Sequence, residues 1–118
     1  MCYQARIKKL AITLAPALIL AFSSNTFAAD EGAEFKALLK KNDCFKCHAF
    51  DKTKKGPSYK SIAAKYKGKE DEGEAKLIKN ITSGQKVKLE DGTEEEHKII
   101  DTKDPKVLKD LARWILAQ

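Results

Sequence analysis

Five consecutive residues, Cys44-Phe45-Lys46-Cys47-His48, constrain this chain more than any other feature of it. Two thiols and an imidazole sit within about one turn of backbone. A disulfide between thiols with only two residues between them would close a very short loop and restrict the unfolded chain little, so the pair calls for a chemical explanation. The pattern C-x-x-C-H is the attachment signal of c-type haem. Its chemistry fits the residues: the thiols can add to two vinyl groups on one porphyrin edge, and the adjacent histidine can turn under the ring and bind iron. Two other uses of the same atoms compete. A thioredoxin-like redox pair needs a strand-helix-strand context, which is absent. A zinc site drawn from Cys44, Cys47, His48 and His97 has the right donor count, but adjacent Cys47 and His48 would strain a small tetrahedral site.

Residues 1–28 read as a cleaved secretory leader. A basic start with Arg6, Lys8 and Lys9 precedes an apolar run of 13 residues, Leu10 to Phe22, and a small-residue site closes at Ala28. The run is short for a membrane span, which needs about 20 apolar residues. The remaining domain, 29–118, keeps only two cysteines, and its formal charge falls from +6 to +3. Its lysines are interleaved with acids along the chain. That is a solvated surface and not a phosphate-binding stripe, so nucleic acid is not an expected partner. Export across the inner membrane to the oxidising periplasm also suits the chemistry of the thiols, with no stable membrane insertion after cleavage.

Hydrophobic spacing predicts four short helices. One covers Ala33 to Lys41, with Phe35, Leu38 and Leu39 inward, and stops at Asn42-Asp43. A second follows Gly56-Pro57, with Ser58 as N-cap and Tyr59, Ile62, Ala63 and Tyr66 at helical spacing. Gly68 to Gly73 reads as a charged turn, and a third helix fits Glu74 to Thr82 before Gly84. From Gln85 to Asp104 the pattern is irregular: Val87 and Leu89 alternate with lysines, and Asp91-Gly92 marks a turn, so either a small hairpin or an extended loop fits. The last helix has Asp104 as N-cap and Pro105 at N1, with Val107, Leu108, Leu111, Trp114 and Ile115 on one stripe. Four short helices joined by such long segments need something to fill their centre.

With these blocks in place the chain resembles the small bacterial class I cytochromes c, the c-551/c-552 group. CFKCHAF, KKGPSYKSIAAKYKG, EAKLIKNITSGQ and VLKDLARWILAQ occur in that family's order and spacing. The resemblance implies an all-α fold of four or so short helices wrapped round one covalent haem c. It implies that His48 is the proximal iron ligand and that the Pro57 carbonyl accepts a bond from its Nδ1, which fixes the tautomer. It also implies crossed terminal helices, with Leu39 and Phe35 against Leu111 and Trp114. Trp114 is therefore a core residue here and not an electron conduit.

One departure from the family carries information. Its distal ligand is a methionine, whereas the only methionine of this chain is Met1. The segment VKLEDGTEEEHKII stands where the ligand loop belongs, and His97 within it lies 49 residues after His48. His97 is the expected second ligand, with Lys86, Lys88, Lys98 or an open site as the alternatives. Imidazole is a stronger donor than thioether and favours ferric iron, so a lowered potential follows. With both axial positions filled, outer-sphere electron transfer is the expected function, and no catalysis. Lys46, Lys52, Lys54 and Lys55 could steer an acidic redox protein partner or simply solubilise the domain. The rival functions are a haem-based gas-binding or sensor protein, and a cytochrome subunit of an exported oxidoreductase complex.

Overall fold

The computed structural model describes residues 26–118, with side chains from residue 32 onward. The expected leader therefore lies almost wholly outside the described residues. Helix α1, Thr26–Lys41, ends in two lysines that complement the negative pole of its dipole. Asp43 then takes a left-handed conformation (φ 59°), which short polar side chains tolerate, and the chain turns away. A single 3-10 turn, Cys44–Lys46, follows.

Helix α2, Tyr59–Lys65, starts where Ser58 accepts a 3.1 Å bond from the Ser61 amide. Helix α3, Glu70–Ser83, begins four residues before the expected Glu74 and absorbs most of the run read as a turn. Glu70, Asp71 and Glu72 occupy its first turn, where the helix dipole favours negative charge. Gly73 lies inside the helix because of close packing. A Cβ there would come within 2.8 Å of Tyr66 and 2.9 Å of Leu116. Gly84, in the left-handed region, ends α3 as expected.

The irregular segment proves to be a hairpin. Strand β1, Lys86–Lys88, pairs antiparallel with β2, Glu94–Glu96, in the register Lys86↔Glu96, Val87↔Glu95 and Lys88↔Glu94. Lysines thus face glutamates across the ladder, a stabilising pairing. Asp91 accepts from the Thr93 amide at 2.9 Å and closes the tip around Gly92. Leu89 is buried beneath it.

Helix α4, Pro105–Leu116, is capped by Asp104, whose carboxylate accepts from the Lys106 amide at 2.9 Å. It packs against α1, α2 and α3. The shared core joins Leu39, Tyr59, Leu77 and Ile100 to Leu108, Leu111, Ala112 and Ile115 of α4. Each buried aliphatic side chain contributes about 1.5–3 kcal/mol by leaving water. The expected meeting of the terminal helices is present: Leu39 and Leu111 share the core, and the rings of Phe35 and Trp114 lie 5.6 Å apart. Trp114 is only partly buried, at the edge of that core.

Candidate cofactor-binding site

The 3-10 turn presents its donors on one side. Backbone bonds from Cys47 and His48 to the Cys44 carbonyl, 3.2 and 3.0 Å, wind the chain so that residues at spacing three and four align. Both thiols are free and half-buried. Burial pushes the Cys44 thiol above its ordinary range, against the opposing effect of a backbone hydrogen bond. Among the described residues, no group of three or more His, Cys, Asp or Glu side chains is arranged to hold a bare metal ion. The zinc reading of Cys44, Cys47, His48 and His97 thus finds no assembled site.

The loop from Ala49 to Ser58 is fastened back onto this turn. Gly56 donates to the Cys47 carbonyl at 2.9 Å, and Tyr59 donates to Ala49 at the same distance. Lys54 reaches the Phe45 carbonyl with its ammonium. The result brings the Pro57 carbonyl 2.7 Å from Nδ1 of His48. A carbonyl only accepts, so Nδ1 carries the proton and Nε2 presents a lone pair. Burial lowers the His48 pKa, partly offset by this bond, so the neutral form is favoured. Gly56 makes the arrangement sterically feasible: a Cβ on it would meet Cε1 of His48 at 2.8 Å.

His97 follows directly after β2. Its amide donates to the Gln85 carbonyl at 2.9 Å, so the base of the hairpin sets its backbone. Its Nδ1 lies 2.9 Å from the Lys98 carbonyl, which again leaves Nε2 with the lone pair. The two imidazole centroids are 6.2 Å apart, with their planes inclined at 43°. For imidazoles bound through nitrogen on opposite sides of one metal, bond lengths of about 2 Å plus the ring radii give a centroid separation of roughly 6 Å. The two rings are thus near neighbours, at a separation of the size that one metal between two imidazole nitrogens would need. The alternative ligands Lys86, Lys88 and Lys98 are all exposed. Lys98 lies 3.9 Å from the Asp43 carboxylate.

Some site residues had no legible signal as such. Tyr59 read only as an apolar helix position. Its ring stacks on His48 at 5.5 Å, and its buried hydroxyl has no partner among the described residues. Asn42 read only as a helix stop, yet it is buried and bonded to Asp101. Gly56 stood only before the second helix, and its contact with His48 is visible only in three dimensions. Of the lysines round the turn, Lys46 pairs with Asp43 at 3.1 Å, Lys55 lies 3.9 Å from Glu95, and Lys54 holds Phe45.

A family model described as cytochrome c matches residues 32–117. No curated protein is matched. Among solved structures, the chain is 53% identical to the class 1 cytochrome MtoD of Sideroxydans lithotrophicus ES-1, over 75% of this chain and 94% of that one, with a TM-score of 0.65. It is 32% identical to wild-type Nitrosomonas europaea cytochrome c552, over 70% and 96% of the two chains, with a TM-score of 0.54. A deletion mutant of that cytochrome is 33% identical over the same shares, with a TM-score of 0.55.

Proposed function

Because the chain belongs to the class I c-type cytochromes, electron carriers with one covalently bound haem c, we propose that Cys44 and Cys47 carry the haem as thioethers and that His48 and His97 ligate its iron. The observation that carries this reading is the imidazole pair: two rings 6.2 Å apart, each with Nδ1 held by a backbone carbonyl and Nε2 left to bind metal. When bound, the haem supplies a one-electron ferric/ferrous couple. The chain's own residues do the rest. Pro57 fixes the His48 tautomer, Gly56 lets the loop lie against the ring, and Tyr59 stacks on it from the core. The hairpin β1–β2 brings His97 to its place.

Two neutral nitrogen ligands favour the ferric state relative to a nitrogen-sulfur pair, so the potential is lowered. Lys46, Lys52, Lys54 and Lys55 form the rim toward an acidic redox protein partner, its field reduced by Asp43 and Glu95. Removal of residues 1–28 and release into the periplasm complete the proposal. Among the described residues no helix is long and apolar enough to cross a membrane.

The test is axial-ligand spectroscopy on the mature holoprotein. The expected ferric spectrum is low-spin and lacks the near-infrared band of a sulfur-iron bond. His97→Ala is expected to produce high-spin iron and rapid carbon monoxide binding in the ferrous form. An unchanged ferric spectrum in His97→Ala would reject His97 as the ligand, and haem that extracts into acid-acetone would reject the thioethers.

A further inference from the structure

Asn42 is 4% exposed, and a buried amide costs free energy unless both its ends are bonded. Both ends are. Its Oδ1 accepts from the Asp101 amide at 2.9 Å, and its Nδ2 donates to the Asp101 carboxylate and to the Leu38 carbonyl, each at 3.0 Å. An N–H faces one end and acceptors face the other, so the amide orientation is determined. Lys41 holds the second carboxylate oxygen of Asp101 at 2.6 Å. Ending a helix needs no burial and no partner 59 residues away, so the clasp serves something else.

Its position says what. Asn42 lies two residues before Cys44, and the Cys44 sulfur is 3.8 Å from the Asn42 carbonyl. Asp101 lies four residues after His97. Two other bonds hold the His97 segment: His97 to Gln85 and Ile100 to Ile81, 2.9 and 2.8 Å. Both fasten it to the end of α3 or the chain just after it, and neither relates it to the turn that bears His48. The exposed Lys98–Asp43 pair at 3.9 Å does connect the two sides, but such pairs contribute little. A backbone bond from the Glu90 amide to the Lys55 carbonyl, 3.1 Å, also ties the hairpin to the loop beside His48, but at the hairpin tip. The clasp, with Asn42 buried and Asp101 exposed, is the connection nearest His97 that has a buried partner.

We propose that Asn42 is a positioning residue for the second axial ligand: by holding Asp101 to the end of α1, it keeps His97 at ligating distance from His48. This rests on the reading of His97 as a ligand. Ile100 stays in the core without the clasp, but the largely exposed stretch from His97 to Ile99 loses its tie to α1, and His97 leaves the iron more often. Entry of an external ligand should then accelerate.

The experiment follows azide binding to ferric holoprotein by stopped flow. In the wild type, binding should be slow and limited by His97 dissociation. Asn42→Ala should raise the limiting rate roughly tenfold or more, the scale of a lost buried hydrogen-bond pair. Asp101→Asn retains both clasp bonds and should stay within about twofold of wild type, while Asp101→Ala should fall between. Ile115→Val, a core change away from the clasp, controls for stability lost in general. If Asn42→Ala does not accumulate as holoprotein, Asp101→Ala decides alone: a wild-type rate overturns the proposal, and an accelerated one supports it. Equal rates in Asn42→Ala and Ile115→Val also overturn it. A ferric spectrum unaffected by His97→Ala instead removes the ligand reading on which it rests, and the two failures are separately visible.

Discussion

Gly56 lies so close to His48 that a methyl group on its Cα would come within 2.8 Å of Cε1 and 3.2 Å of Nδ1. The neighbouring Pro57 carbonyl can reach Nδ1 only because nothing stands between loop and ring. Gly56→Ala must displace one or the other. Overpacking of this kind costs about 1–3 kcal/mol. The expected outcome is a holoprotein with a lower thermal midpoint and a shifted ferric spectrum, measured by melting and absorption on the same sample.

His97→Met replaces a nitrogen donor by sulfur at the position the hairpin delivers. If the thioether reaches the iron, the potential should rise, since thioether ligation favours the ferrous state. Potentiometric titration of both proteins checks this, with the near-infrared sulfur-iron band as proof of ligation. A variant with that band and an unchanged or lower potential would contradict the expectation.

Tyr59 sets an alkaline limit. Burial raises its phenol well above the ordinary range. A phenol that ionises less readily in the folded chain than in the unfolded one contributes its stability fully below about pH 10, and that contribution is lost as pH rises further. Tyr59→Phe should therefore shift alkaline unfolding to higher pH. Since the hydroxyl is buried without a partner among the described residues, the change should cost no more than about 1 kcal/mol at neutral pH. Denaturation monitored at pH 7 and above pH 10 separates the two effects.

Leu111 and Trp114 rank the core. Leu111 is fully buried, at 0% exposure, where α4 meets the other helices. Leu111→Ala should cost about 2–5 kcal/mol. Trp114 is half-buried between Phe35 and Phe50, with ring centroids at 5.6 and 6.0 Å. Its loss to alanine should fall at or below the lower end of the fully buried aromatic range, about 3 kcal/mol. Denaturant titration of the holoproteins measures both.

Much of this molecule is written in short-range patterns. The C-x-x-C-H run, the Ser58 and Asp104 caps, the Gly84 stop and the apolar stripe of α4 each depend on residues a few positions apart, where helical geometry and capping chemistry act. Periodicity does not reveal the start of α3, because its first turn is wholly polar and is followed by Gly73. Its acids are placed for the helix dipole, and Gly73 is placed for Tyr66 and Leu116, neither of which a periodicity count registers. Sequence does not separate the hairpin from a loop, because three residues per strand carry too little alternation to decide, and cross-strand charge pairing settles it only once the register is known.

From sequence alone, then, come the residues able to hold a haem, the helices that carry them and the identity of His97 as the one histidine available opposite His48. Tertiary structure alone decides that the two rings lie 6.2 Å apart, that each Nδ1 is already occupied, and that Asn42 grips Asp101 across 59 residues. The division has a physical cause. Local motifs are set by bond geometry along the chain, while these distances are set by how four helices and a hairpin pack together, and packing is a property of residues far apart in sequence and close in space.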